Sequence, residues 1–154
     1  MERQFVHLRT HSRISIGAGT LKIKEIPELC KQYGMTACAL TDTNMMSGCA
    51  EFSDVMPKNK IQPIIGTEIT FNQHTVDPKI LRAGALSRIV LLAQNHTGYL
   101  NLCELSRVMY MREDNHHLGP YITLDELAAH SDGLICLSGA HTGPIGMAVL
   151  NAQD

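Results

Sequence analysis

Two short apolar runs, each carrying an acidic residue at or near its end, constrain the fold of this chain most. Thr36-Ala37-Cys38-Ala39-Leu40-Thr41 runs directly into Asp42, and Ile61-Gln62-Pro63-Ile64-Ile65-Gly66-Thr67-Glu68-Ile69 carries Glu68. Runs this short, with few polar interruptions, read as strands buried on both faces, the pattern of an internal sheet with polar residues at its carboxyl ends. Between them, about Ser47 to Met56 reads as a helix, so a strand-helix-strand unit is expected.

The same alternation extends in both directions. Phe5-Val6-His7-Leu8-Arg9-Thr10 reads as a strand whose period of two puts Phe5, His7, Arg9 and His11 on one side. A helix from about Ile26 to Tyr33 follows, with Pro27 suited to its first turn, Gly34 to its C-terminal cap, and a stripe of Ile26, Leu29, Cys30 and Tyr33. Ser87 to Ala93 reads as a fourth strand, and Asn95 can cap a long helix reaching about Arg112. After a polar loop from Glu113 to Pro120, Thr123 and Glu126 have capping-box spacing for a helix to about His130. A strand from Gly133 to Leu137 and a helix from Ile145 to Asn151, opened by Gly143-Pro144, complete the series. The order argues an α/β domain on a parallel sheet. A closed β/α barrel usually needs roughly 200 residues or more, so the 154 residues imply an incomplete barrel or an open sheet.

Composition narrows the function classes. With 13 Lys and Arg against 15 Asp and Glu, the net charge of −2 offers no electrostatic grip on a phosphate backbone. Five cysteines lie far apart in the sequence without a C-x-x-C pair, which reads as reduced thiols of a cytoplasmic protein. No run approaches the roughly 18 apolar residues of a membrane span, and the start lacks an apolar signal core.

Carboxyl ends of parallel strands converge on one rim, which would gather Arg9, His11, Asp42, Glu68 and the stretch from Ser138 to His141. Histidines and carboxylates so placed could hold divalent ions and activate a bridging water. Spacing alone favours a bland arrangement, in which Asp42 caps a turn and Glu68 pairs with a neighbouring cation. His74, His96, His116, His117 and His130 read as solvated surface histidines, and Met45 and Met46 as core filler.

Five blocks carry a resemblance: Phe5 to Ser12, Leu40 to Asn44, Ile61 to Glu68, Leu91 to Leu102 and Gly133 to Gly139. In order and spacing they are similar to the polymerase-and-histidinol-phosphatase (PHP) domain that begins bacterial DNA polymerase III alpha subunits, and the Leu91 to Leu102 block resembles the polymerase branch. The resemblance spans residues 1–154 and implies a seven-stranded β/α barrel, incomplete in this chain, whose active members hold a metal cluster for phosphoester hydrolysis.

This sequence departs from the family pattern. Arg9 stands at the first position of an expected His-x-His, with His11 at the second. Ala18 replaces an aspartate, Thr43 replaces the histidine of Thr-Asp-His, and Ala140 replaces a cysteine. The departures imply a degenerate rim without a metal cluster, with His11, Asp42 and Glu68 as the residual candidate ligands. Arg9, whose forked guanidinium can engage two carboxylates, is expected to bridge Asp42 and Glu68.

By resemblance, the whole protein would be a DNA-directed DNA polymerase, a nucleotidyltransferase of DNA replication. Its magnesium-dependent polymerase domain and its DNA contacts would lie outside this stretch. This region would be catalytically silent and without a cofactor, and its partners would be the proofreading exonuclease subunit and other replicase subunits. The competing reading is an active metal-dependent PHP phosphoesterase or 3′–5′ exonuclease.

Overall fold

The computed structural model describes residues 5–72, 86–113 and 118–151. Five strands form its sheet: β1 (Ala37–Leu40), β2 (Gln62–Asn72), β3 (Ser87–Ala93), the two-residue β4 (Ile122–Thr123) and β5 (Leu134–Leu137). The helices are α1 (Ile26–Gln32), α2 (Cys49–Lys58), α3 (His96–Met111), α4 (Leu124–Ala129) and α5 (Pro144–Asn151). The strands run in the order β1-β2-β3-β5, with β4 beside the far end of β2. None of the described helices is long and apolar enough to cross a membrane.

Strand direction departs from expectation. β1 and β2 are parallel, as are β2 and β4, but β3 is antiparallel to β2 and β5 is antiparallel to β3. An apolar run reports burial on both faces and carries no information about direction, so an inserted antiparallel strand reads like its parallel neighbours. The segment expected as a first strand is irregular. His7 makes a single bridge to Cys38, the Ala39 amide donates to the His7 carbonyl at 2.8 Å, and the Thr41 amide donates to the Thr10 carbonyl at 2.9 Å. Phe5 and Leu8 are exposed.

The pleat sorts the sheet into two faces. On one, Cys38 and Leu40 pack with Ile23, Ile26, Phe52 and Met56, while Ile69, Ile89 and Leu91 pack with Leu102, Leu105 and Met109 of α3. On the other, Ala39, Val90 and Leu92 meet with Ile64 and Leu137. Glu68 lies directly opposite Val90 in the β2-β3 ladder and is fully buried. Pairing thus carries a carboxylate onto the inner face of the sheet.

Several helix signals read from the sequence are present. Asn95 accepts a hydrogen bond from the Gly98 amide at 3.0 Å, and Thr123 and Glu126 form a reciprocal capping box. Gly34 follows α1 at φ +65°, a left-handed conformation that glycine adopts without a steric penalty. Boundaries shift by a few residues: α1 ends at Gln32 rather than Tyr33, and α2 covers Cys49–Lys58 rather than Ser47 to Met56. Met46 packs against the α3 core while Met45 is 40% exposed, so only the former is filler. His96 is exposed and His130 half-buried; His74, His116 and His117 fall outside the described residues.

α3 presses closely on the turn before β5. A Cβ added to Gly98 would lie 1.9 Å from the Gly133 carbonyl oxygen, so Gly98→Ala requires backbone displacement. The expected outcome is a loss of about 2 kcal/mol in urea unfolding, with an Ala substitution at exposed Thr97 as the control.

Candidate functional site

The rim at the carboxyl ends of β1 and β2 is built around two buried acids. Asp42 follows β1, Glu68 lies within β2, and each is almost fully excluded from solvent. A buried carboxylate requires either compensating cations or a full set of donors, and the two residues meet that requirement differently.

Asp42 is satisfied by neutral donors. Its Oδ1 accepts from the Ser12 amide at 2.7 Å and from Ser15 Oγ at 2.6 Å, and its Oδ2 accepts from Ser12 Oγ at 2.8 Å. Both serines are themselves buried. The loop after the first segment therefore wraps the Asp42 carboxylate.

Glu68 is charge-balanced by cations, although its Oε1 makes no hydrogen bond of acceptable geometry. Arg9 Nη2 lies 2.5 Å from its Oε1, and Arg88 Nη1 lies 3.5 Å from its Oε2. Thr43 Oγ1 donates to Oε2 at 3.2 Å, and His11 Nε2 stands 3.7 Å from the same oxygen. The ring's other nitrogen, Nδ1, is 3.3 Å from Thr43 Oγ1 and 3.4 Å from Ser15 Oγ. Each arginine is about half exposed, with side-chain exposures of 41% and 46% against 1% for Glu68. One face of each guanidinium thus stays hydrated while the carboxylate does not.

The loop joining the two acids is clipped to β2. Asn44, at φ +55°, donates its amide to the Glu68 carbonyl at 2.7 Å. Its side chain accepts from the Thr70 amide at 2.8 Å and donates to Thr70 Oγ1 at 2.9 Å. These contacts hold Thr43 against Glu68, where the backbones form an isolated bridge.

The four candidate residues read from the sequence, Arg9, His11, Asp42 and Glu68, therefore share one rim. The expected Arg9 bridge is realised to Glu68, whereas Asp42 takes its bonds from Ser12 and Ser15, whose hydroxyls and loop amide reach it first. Arg88 escaped the sequence reading because an all-parallel sheet would have sent its end of β3 away from the rim. In the antiparallel pairing Arg88 stands opposite Thr70, two positions beyond Glu68.

Ser138 to His141 follows β5, and Ala140 begins a turn of 3-10 helix there. A Cβ on Gly139 would fall 1.9 Å from the Arg88 carbonyl oxygen, so this turn backs onto the strand that carries the second arginine. His141 is exposed. Ala18 borders a cavity of about 230 Å³ shared with Ser15, Thr43, Met45 and Arg88.

Comparisons with known proteins agree with this architecture. The model of the PHP domain family matches residues 7–154. The chain is 39% identical over 142 residues to the DNA polymerase III subunit alpha of Caulobacter vibrioides, covering 92% of this chain and 12% of that subunit. It is 35% identical over 154 residues to the subunit of the same name from Rickettsia bellii, covering all of this chain and again 12% of the relative. This chain thus spans about an eighth of the length of these relatives. Among solved structures, an amidohydrolase from Chromobacterium violaceum aligns with a TM-score of 0.51 at 22% identity, over 69% of this chain and 33% of that one. At that identity the likeness concerns the fold, of which this chain covers a part.

Because the two guanidiniums share one carboxylate, their removal is expected to be non-additive. Arg9→Ala and Arg88→Ala should each cost about 1 to 2 kcal/mol in urea unfolding, and the double variant should exceed their sum by about 1 kcal/mol or more. Simple additivity would show that the two cations act independently. Asp42→Ala, which strands the Ser12 and Ser15 donors, is expected to cost about 3 kcal/mol by the same measurement.

Proposed function

The chain belongs to the PHP domain family, and from that premise we propose that it is the N-terminal PHP region of a replicative DNA polymerase III alpha subunit, with a rim sealed by its own side chains. Its role is structural, as a folded platform on which the proofreading exonuclease subunit and other replicase subunits dock. Template-directed DNA synthesis, the DNA contacts and the magnesium that deoxynucleotidyl transfer requires belong to other parts of the polymerase. In this reading no catalytic residue lies within residues 1–154.

The observation that carries the reading is the occupation of both acids. Glu68 is engaged by Arg9 and Arg88, and Asp42 accepts three hydrogen bonds from Ser12 and Ser15. Metal sites of hydrolytic enzymes need several anionic or neutral lone-pair donors turned toward one point. Among the described residues, no three His, Cys, Asp or Glu side chains are grouped to hold an ion. The guanidinium of Arg9 is a permanent cation where the family pattern has a neutral imidazole. The residues present do not suit a metal cluster.

The relatives support the polymerase branch, since the matched proteins carry the name DNA polymerase III subunit alpha over nearly the whole of this chain. The expected result for the gene is a coding frame that runs on past Asp154 into a polymerase module.

Two measurements test the site. After incubation with zinc or manganese and gel filtration, the chain should retain no stoichiometric ion at the rim and should not cleave a phosphomonoester or a 3′-terminal nucleotide. Ion retention abolished by Glu68→Gln, together with such cleavage, would restore the phosphoesterase reading. For the docking role, a folded chain should retain the exonuclease subunit in a pull-down, and failure to do so would remove that partner.

A further inference from the structure

The loop that wraps Asp42 displays a large aliphatic side chain to water. Ile16 is 94% exposed, and a single exposed aliphatic residue is ordinary on a protein surface. This one stands on a loop that is tied down. The Ser15 amide donates to the Ser12 carbonyl at 3.0 Å, and the Ala18 and Gly19 amides donate to the Ser15 carbonyl at 2.9 and 3.0 Å. Ser12 and Ser15 are in turn buried against Asp42. The buried acid therefore fixes the loop, and the loop fixes where Ile16 stands.

Ile16 borders the rim cavity of about 230 Å³ together with Ile14, Met45 and Arg88. Its wall thus combines aliphatic surface with one cation. The hydroxyls on the wall are engaged elsewhere, since Ser15 Oγ donates to Asp42 at 2.6 Å and Thr43 Oγ1 donates to Glu68 at 3.2 Å. The Arg88 guanidinium is only loosely engaged. Its Nη1 lies 3.5 Å from Glu68, beyond the roughly 2.7–3.2 Å of a good N–H···O bond, whereas Arg9 approaches the same carboxylate to 2.5 Å. A guanidinium carries several N–H donors in a planar fork, and with 46% of its side chain exposed Arg88 can turn them to a second acceptor.

We propose that this cavity docks a peptide segment of a partner subunit in which a carboxylate stands next to a bulky aliphatic side chain. The carboxylate takes the open side of the Arg88 fork, and the aliphatic group packs among Ile14, Ile16 and Met45. Charge complementarity selects this occupant. A phosphate group needs several donors at once, while this wall offers one guanidinium, and a planar fork matches a single carboxylate. Because the loop is held in place beforehand, little ordering opposes binding. The inference rests on the docking role proposed above and gives it a surface.

The test is an NMR titration of the isotopically labelled full chain with acetyl-Leu-Glu-Leu-amide and with its Gln counterpart. Saturable shifts at Ile16, Met45 and Arg88 are expected with the Glu peptide, and binding about fivefold weaker with the Gln peptide, which lacks the ion pair. Ile16→Asp, at a position too exposed to affect folding, should weaken the Glu peptide by about tenfold through lost apolar contact and like charge. Ile16→Lys should weaken it less, and Arg88→Gln should erase the preference for Glu over Gln. Equal binding of the two peptides, shifts confined to other residues, or an Ile16→Asp variant that binds as the parent does would overturn the proposal. The purified exonuclease subunit is then measured against the same variants. If it binds parent and Ile16→Asp alike, the surface is wrong and the docking role stands. If it ignores a parent chain that binds the Glu peptide, the site stands and a different subunit occupies it.

Discussion

A carboxylate buried between two guanidiniums organises this end of the molecule. Transferring Glu68 to the inner face of the sheet carries a desolvation penalty of several kcal/mol unless cations and donors surround it. Arg9 supplies one cation from the first segment and Arg88 supplies the other from β3, while Thr43 and His11 approach from the loop after β1 and from the first segment. The requirement thereby ties together three stretches of chain that have few other reasons to meet at one point. It also fixes the side on which β3 must present its first residues.

The two acids illustrate different solutions to the same electrostatic problem. Asp42 sits in a small cradle of neutral hydroxyl and amide donors. Glu68 is balanced by permanent cations whose outer faces remain in water. A carboxylate compensated in the second way leaves excess positive charge at the surface, because two guanidiniums face one acid. The rim thereby sets a neutral-donor cradle around Asp42 beside a Glu68 flanked by guanidiniums.

Much of this was legible in the residues. Asn95, the Thr123-Glu126 pair and Gly34 signal helix ends through local hydrogen bonding and backbone geometry, which depend on a few adjacent residues. The buried character of β1, β2 and β3 follows from their apolar runs. Arg9, His11, Asp42 and Glu68 could be assembled because motif spacing implied a shared rim. Direction was not legible, since burial is identical for parallel and antiparallel neighbours, and losing the direction of β3 meant losing Arg88. Ser12 and Ser15 were missed for another reason: a serine hydroxyl is an unremarkable loop feature until its carboxylate partner, some thirty positions away, is known to be buried. That Cys30 and Cys38 border one cavity likewise depends on how α1 packs beside β1.

At the opposite margin of the sheet, β5 pairs with β3 and, among the described residues, with nothing beyond it. Its outward row of amide and carbonyl groups is flanked by Ile135 and Cys136, both exposed. A strand in that state can receive another strand by backbone hydrogen bonding. An edge of this kind is where a sheet is extended by a further strand.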